Sequence, residues 1–156
     1  MNKKRTDLSC KKKPKFNFIF FFENQKTKEK LGHHVLAYFV GDGKSFPFIR
    51  DNSQDLVYSF DSFVHMHRNV INDYLSEIQR VLVPGGRSII HHSDLWGGSD
   101  YSFQNNAGRS NMTAQLFKEL VEKHDMKIIE QKSIQISPGN SHWGGFDVIS
   151  IFEKNG

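Results

Sequence analysis

The stretch RVLVPGGRSII, residues Arg80–Ile90, decides how the middle of the chain folds. It joins the end of an apolar helical pattern to a short run of residues that favour strands. Proline cannot continue a helix because it lacks a backbone N–H, and the glycines after Pro84 can adopt a positive φ. The stretch therefore predicts a helix that ends, a sharp turn, and a strand that begins at Arg87.

The segments on either side of this turn alternate between strand and helix patterns. Apolar runs predict five further strands, over Phe16–Phe22, Val35–Val40, Asp55–Phe60, Lys127–Ile136 and Phe146–Phe152. Helical spacing of apolar residues predicts two helices, over Asn69–Leu82 and Thr113–His124, with Asn69 as the first N-cap. The strand after the turn covers Arg87–His91, and a long polar loop follows over Ser93–Ser110. This order predicts an α/β sheet, mostly parallel, with an antiparallel carboxyl-terminal edge.

The length of 156 residues suits a single domain. The charged residues are nevertheless distributed unevenly along the chain. Residues 1–15 contain seven Lys or Arg and one acid, whereas the rest contains 14 basic and 16 acidic residues. We predict a disordered basic tail over residues 1–15 and a folded domain over residues 16–156. Nucleic-acid binding by the tail is less favoured, because no aromatic residue is interleaved with its lysines to stack on bases.

Other classes of protein find little support in the sequence. No apolar run is long enough to cross a bilayer, so a membrane partner is not expected. Cys10 is the single cysteine and lies in the tail, which leaves no disulfide framework and no cysteine-based zinc site. We therefore expect a cytoplasmic protein without a bound metal.

Polar residues follow the predicted strands at the places where those strands end. They are Glu23, Gly41-Asp42-Gly43, Ser59-Phe60-Asp61 and His91-His92-Ser93. Because ligands of parallel α/β sheets bind beyond the carboxyl ends of the strands, these positions predict a ligand site along one edge. Polar loops that merely end strands explain any one of them, but explain four in register less well.

Two segments carry an ordered set of short motifs. They are YFVGDGKSFPFIRDNSQDLVYSFDSFVHM, from Tyr38 to Met66, and YLSEIQRVLVPGGRSIIHHS, from Tyr74 to Ser93. In order and spacing, the set resembles the class I S-adenosylmethionine-dependent methyltransferases, in which a Pro-Phe and Asp-aliphatic-Val run is followed by a helix ending Arg-Val-Leu-x-Pro-Gly-Gly. The resemblance implies a Rossmann-like methyltransferase sheet and S-adenosylmethionine as cofactor.

The resemblance also implies roles for particular residues. Asp42 corresponds to the acid that accepts from the adenine amino group, with the backbone of Gly43 beside the ring. Ser59 and Phe60 stand where the family lines the methionine portion of the cofactor. Glu23 matches the acid that holds the ribose hydroxyls, although an ordinary exposed acid fits Glu23 equally well.

One part of the family pattern is missing from the sequence. The family's first strand ends in an acid-x-Gly-x-Gly-x-Gly loop, whereas residues 1–40 contain one glycine, Gly32. We therefore expect a partial methyltransferase domain, amino-terminally truncated, whose first strand and loop are missing or replaced. Cofactor binding should then be impaired, and the isolated chain should show no measurable methyl transfer.

Three histidines are candidates for the proton transfer that a hydroxyl acceptor requires. His91 and His92 end a predicted strand and His65 lies beyond another, and imidazole has a suitable pKa for a general base. A histidine that only packs or hydrogen-bonds inside the core is the alternative for each. A metal held by His91 and His92 is disfavoured, because adjacent strand residues point to opposite faces. Trp96 and Trp143 either wall a substrate pocket or cap the core.

The expected function is methyl transfer to a small-molecule hydroxyl. A sugar acceptor is suggested only by the resemblance of IIHHSDLWGG to carbohydrate-associated members of the family. The alternative is a non-catalytic remnant of the fold, or a module that binds a partner.

Overall fold

The computed structural model describes residues 21–23, 42–95, 102, 108–135 and 146–156. In chain order its elements are β1 (Phe21–Glu23), β2 (Gln54–Ser59), a 3-10 helix (Phe63–His65), α1 (Arg68–Val81), β3 (Leu82–Asp94), α2 (Ala114–Lys123), β4 (Met126–Gln135) and β5 (Phe146–Lys154). Several predicted features lie outside the described residues: the basic tail over 1–15, residues 16–20 of the first strand, the strand over Val35–Val40, most of the loop over Ser93–Ser110, and both Trp96 and Trp143.

The strands form one sheet in the order β1-β2-β3-β5-β4. β2 and β3 run parallel, whereas β1 is antiparallel to β2, and β5 is antiparallel to both β3 and β4. The predicted α/β class and antiparallel carboxyl-terminal edge are confirmed. The described sheet is nevertheless mixed rather than mostly parallel, because the β4–β5 hairpin folds back to insert β5 beside β3 and because β1 enters the sheet in the opposite direction.

Helix α1 begins one residue earlier than predicted and ends one residue earlier. His67, not Asn69, is its N-cap, and the ring of His67 accepts a hydrogen bond from the backbone N–H of Asn69. Asn69 lies inside the first turn instead. One face of the helix is buried, as its periodicity predicts, through Ile71, Tyr74, Leu75, Ile78 and Val81.

The Pro-Gly-Gly stretch lies within β3 rather than before it. The strand starts directly after the helix at Leu82, which pairs with Gln54, and the next described pair joins Leu56 to Arg87. The extra residues of β3 between these two pairs form an irregularity in which Gly85 has a φ of 75°. A Cβ on Gly86 would lie 2.9 Å from the carbonyl oxygen of Val83, closer than real Cβ contacts. The glycines thus permit a bulge against β2, not a turn before the strand.

The core lies between one face of the sheet and the two helices. Helix α2 is capped by Thr113, whose Oγ1 accepts from the backbone N–H of Leu116 at 3.1 Å, and it buries Phe117 and Val121. Those two side chains join a single cluster with residues of α1 and the sheet, among them Val57, Ile71, Leu75, Ile78, Ile90 and Phe152. Within the described ranges, no helix is long and apolar enough to span a membrane.

Arg80 connects the loop before β2 to helix α1 through hydrogen bonds and ion pairs. Its guanidinium donates to the carbonyl oxygens of Phe46 and Ile49, at 3.0 and 2.9 Å, and forms ion pairs with Glu77 and Asp51. Glu77 in turn accepts from the backbone N–H of Phe46 at 2.8 Å. The hydrogen bonds from Arg80 are the main reason that the pKa of Glu77 lies below its usual value.

Candidate functional site

The end of β2 lies against the middle of β3, which continues beyond it. Ser59 pairs with Ile90, so the next residues along each strand, Phe60 and His91, are neighbours. Their rings stack with centroids 4.4 Å apart and an interplanar angle of 27°. The structure therefore brings together three of the residues predicted for the site, Ser59, Phe60 and His91.

Ser59 and Phe60 differ in burial because successive strand residues point to opposite faces. Ser59 is fully buried, and its Oγ has no hydrogen-bond partner among the described residues. Phe60 is 49% exposed, which is unusual for a large apolar side chain. An unsatisfied buried hydroxyl costs roughly 1–3 kcal/mol, so an orphaned oxygen at a strand end marks a place where a ligand or water would be accommodated.

Both nitrogens of the His91 ring make hydrogen bonds within the protein. Nδ1 accepts a hydrogen bond from the backbone N–H of Asp61 at 3.0 Å, and Nε2 lies 3.0 Å from Oδ2 of Asp147. The same carboxylate oxygen is 2.8 Å from Nη1 of Arg109. Because His91 is also buried, its ring offers no free lone pair to a substrate, and the geometry does not favour a general base at this position.

His92 is a core residue on the opposite face of β3. Its ring stacks on Phe117 with centroids 3.9 Å apart, Nδ1 donates to the carbonyl oxygen of Ser93, and Nε2 accepts from the hydroxyl of Ser150 at 2.7 Å. Burial lowers the pKa of His92 to about 4. His92 therefore fits the alternative of a histidine that packs and hydrogen-bonds inside the core, because a neutral buried ring is a poor base for a bound substrate.

The pKa of His92 leads to a prediction about acid stability. A histidine in the unfolded chain titrates near ~6.5, so between pH 6.5 and about 4 the unfolded state binds more protons than the folded state. Stability should therefore be full above pH 6.5 and fall as the pH decreases, by roughly 3 kcal/mol in total. Urea unfolding at pH 7.0, 5.5 and 4.5 measures this loss.

The variant His92→Gln serves as the control for that titration. Glutamine keeps a donor and an acceptor but does not ionise, so the loss of stability above pH 4.5 should become clearly smaller. His124, whose pKa is also lowered chiefly by burial, remains in the variant and contributes the residual slope. An equally steep loss in His92→Gln would contradict the assignment.

His65 differs from the other two histidines because its ring is exposed. Its Nδ1 lies 2.8 Å from the carbonyl oxygen of Gly108, which can only accept, so Nδ1 carries the proton and Nε2 carries the lone pair. Nε2 has no partner among the described residues. His65 ends the 3-10 helix that follows the Phe60–Asp61 turn, and it is the one predicted histidine whose geometry suits a general base.

Asp42 and Gly43 lie in a separate loop before β2. Oδ1 of Asp42 accepts from the backbone N–H groups of Lys44 and Ser45, both at 2.8 Å, and Oδ2 accepts from the hydroxyl of Ser45. These hydrogen bonds hold the pKa of Asp42 below its usual value. Gly43 has a φ of 84°, and apart from its chain neighbours no atom of the described residues lies within 4 Å of where its Cβ would be, so the backbone there has room for a ligand.

Glu23 lies away from the end of β2. It pairs with Leu56, three residues before Ser59, because β1 runs antiparallel to β2. At about 3.3 Å per residue, its backbone is roughly 10 Å along the strand from Ser59. The ribose role of Glu23 stays an untested prediction, and this pairing does not favour it.

Sequence reasoning missed Arg109 and Asp147, and it named Asp61 only as one of the polar residues that follow a strand. Asp147 is fully buried, and the run FDVISIF does contain a signal for it, namely one acid inside an otherwise apolar strand. Arg109 lies in a polar loop and gave no such signal. Across the described part of the chain, no group of three or more His, Cys, Asp or Glu is arranged to hold a metal.

Comparisons with known proteins show a partial sequence match and a shared fold. Residues 17–90 match the sequence profile of a family described as "Methyltransferase domain". No curated protein sequence matches the chain significantly. Many solved structures share its fold.

Three of these structures illustrate the likeness. A proposed sarcosine dimethylglycine methyltransferase from Galdieria sulphuraria is 16% identical, with a TM-score of 0.56 over 74% of this chain and 58% of that chain. A proposed methyltransferase from Bacillus halodurans is 14% identical, with a TM-score of 0.61 over 82% of this chain and 75% of that chain. The 1,6-didemethyltoxoflavin-N1-methyltransferase from Burkholderia thailandensis, bound to S-adenosylhomocysteine, is 17% identical, with a TM-score of 0.51 over 68% of this chain and 46% of that chain.

At these sequence identities the solved structures show a shared fold. The chain spans 58% of the length of the Galdieria protein. The shared fold confirms the predicted Rossmann-like sheet. The match to the family profile covers the loop with Asp42, strand β2, helix α1 and the Pro-Gly-Gly bulge. It is therefore a similarity in sequence as well as in fold. Residues 17–90 thus match a methyltransferase-domain family, and the chain shares its fold with solved structures described as methyltransferases.

Proposed function

We propose that this chain binds S-adenosylmethionine with low affinity and serves methyl transfer to a small molecule that bears a hydroxyl. The observation that carries the proposal is the end of β2, where the unpartnered Oγ of Ser59 adjoins the half-exposed ring of Phe60. A ligand that lies across the strand end contacts Phe60, while Ser59 lies fully buried on the other face of the strand. This is the edge where ligands of open α/β sheets bind.

The residues present fit the adenosine and methionine portions of this cofactor. Asp42 stays ionised, and its Oδ2, which accepts one local hydrogen bond, retains a lone pair for the adenine amino group. The open backbone at Gly43 permits a flat ring to approach. When bound, the cofactor supplies a methyl group that its sulfonium already activates, so the protein has to align the two reactants and remove a proton.

His65 is the residue best placed to remove that proton. Its Nδ1–H is held by Gly108, which leaves the basic Nε2 exposed and oriented by a fixed hydrogen bond. An oriented imidazole of this kind can accept a proton from a hydroxyl as the methyl group is transferred. A sugar hydroxyl is the narrower form of the proposal and rests on resemblance alone.

The first test locates cofactor binding by protein-observed NMR with S-adenosylhomocysteine at millimolar concentration. The signals of Asp42, Phe60 and His65 should move, while those of the core residues His92 and Met126 should not. Phe60→Ala removes a ring contact, and aromatic pairs contribute about 0.5–1.5 kcal/mol, so the affinity should fall about two- to ten-fold.

Phe48→Ala is the matched control, because Phe48 is also an exposed phenylalanine, at 62% exposure, but lies in the loop held by Arg80. It should leave the affinity unchanged. Equal loss in both variants would contradict a site at the end of β2. An absence of any shift at millimolar ligand would favour the alternative, a non-catalytic remnant of the fold or a partner-binding module, which the lack of the glycine-rich motif in the sequence already suggests.

A further inference from the structure

His91 has contacts that packing alone does not require. It joins three groups from two parts of the chain: the ring of Phe60, the backbone N–H of Asp61 and the buried carboxylate of Asp147. We propose that His91 is a positioning residue that fixes the Phe60–Asp61 turn, with its tautomer set by Asp147. The functional meaning of that turn rests on the proposed function, but the contacts themselves do not.

The hydrogen bonds of His91 allow one arrangement of its proton. A backbone N–H can only donate, so Nδ1 must present a lone pair to Asp61. The neutral ring then carries its proton on Nε2, which faces Oδ2 of Asp147. A carboxylate can only accept, so the two contacts select the same tautomer.

Arg109 keeps Asp147 suited to this role. Its Nη1 lies 2.8 Å from the carboxylate oxygen that faces His91, so the two side chains form an ion pair. The other oxygen, Oδ1, is buried without a hydrogen-bond partner among the described residues. One oxygen of the carboxylate thus forms the hydrogen bond with His91 and the ion pair with Arg109, which fixes the direction of the ring.

The turn needs such support because its backbone is strained. Asp61 has a φ of 58°, in the left-handed region that side-chain-bearing residues rarely adopt. A strained residue persists where its surroundings hold it, and such residues cluster at ligand sites. The His91 ring accepts from this residue's N–H while it stacks on the preceding Phe60, so it orients both members of the turn.

The wild-type protein without ligand gives the first test, by 15N NMR of the histidine ring. The proton of His91 should be on Nε2, with Nδ1 unprotonated, and the amide of Asp61 should exchange slowly with solvent. A proton on Nδ1 would overturn the proposal, and this measurement does not depend on any variant's folding.

Two variants then separate positioning from packing. His91→Phe keeps a ring against Phe60 but removes the acceptor, and Asp147→Asn places a donor opposite Nε2, which favours the wrong tautomer. In both, exchange of the Asp61 amide should rise at least about ten-fold, the effect of losing roughly 1.4 kcal/mol of local protection. The amide of Val57, inside strand β2, is the internal reference and should change much less. Equal acceleration at both amides, or none at Asp61, would overturn the positioning role.

Ligand binding is measured separately, so the two proposals can fail independently. If the tautomer and the Asp61 amide behave as expected, the positioning role stands whether or not wild-type protein responds to S-adenosylhomocysteine. When the wild type does respond, His91→Phe should reduce the response of Phe60 while the response of Asp42, which lies in a separate loop, persists. An unchanged Phe60 response together with an unchanged Asp61 amide would refute the role of His91.

Discussion

Replacement of Arg80 by methionine is expected to lower the free energy of unfolding by about 2–4 kcal/mol. The guanidinium donates to two backbone carbonyls, those of Phe46 and Ile49, and forms ion pairs with Glu77 and Asp51. Methionine fills similar space but donates no hydrogen bond, so two carbonyls and the partly buried carboxylate of Glu77 lose their partner. Urea unfolding at pH 7 measures the loss.

Arg87→Met provides the matched control. Arg87 also pairs with a carboxylate, that of Glu153 at 3.1 Å, but its side chain is 59% exposed and makes no comparable set of contacts. Exposed ion pairs contribute about 0–1 kcal/mol, so this change should cost little. Arg80→Lys should fall nearer to Arg80→Met than to wild type, because an ammonium cannot reproduce the fork of donors. Equal costs at positions 80 and 87 would refute the structural role of Arg80.

The region around Arg80 shows which structural features could be predicted from the sequence and which could not. The apolar face of α1 is a local feature and was predicted from spacing, whereas the contacts of Arg80 with the loop before β2 were not predicted. The bulge at Gly85 and Gly86 was not predicted either, because the same dipeptide permits a turn or a bulge, and the choice depends on how closely β2 approaches. Strand pairing, which is not local, decided it.

The candidate site shows the same division between local and distant causes. Ser59 and Phe60 were predicted because they follow a strand, and the parallel register of β2 and β3 does place Phe60 beside His91. The roles of the histidines depended on contacts distant in sequence. His91 meets Asp147 and His92 meets Ser150, both on β5, and no periodicity reveals which ring becomes buried.

The position of β1 bears on how the cofactor would be held. In the described part of the sheet, β2 has β3 on one side and the short antiparallel β1 on the other. A parallel strand in that place would deliver its carboxyl end beside Ser59, whereas β1 presents Glu23 opposite Leu56. In the proposed binding mode, β2 and the Asp42 loop would contact the methionine portion and the adenine, and the described residues would offer fewer contacts to the groups between them.

Affinity for S-adenosylmethionine is expected in the millimolar range at best, with adenosine competing about as well as the whole cofactor. A net hydrogen bond contributes about 0.5–1.5 kcal/mol, or up to ~3 when one group is charged. A millimolar dissociation constant corresponds to about −4 kcal/mol, and binding must first offset the loss of freedom of the ligand. Asp42 supplies the main charged contact, while the sequence contains no acid-x-Gly-x-Gly-x-Gly loop before it to cradle the carboxypropyl end. Methyl transfer by the chain alone should accordingly escape detection.

Titration calorimetry with S-adenosylmethionine and with adenosine tests whether the chain binds the cofactor weakly, as expected, or has a complete cofactor site. Asp42→Ala should abolish the residual binding of both ligands, since both carry the adenine amino group that the carboxylate accepts from. Asp73→Ala, which removes an exposed acid on α1, should leave both affinities unchanged. Micromolar binding of S-adenosylmethionine that greatly exceeds that of adenosine would show the expectation to be wrong, because the extra free energy would have to come from contacts to the methionine portion. Such contacts would then have to be sought among residues 1–41, where the phenylalanine-rich run precedes the Asp42 loop.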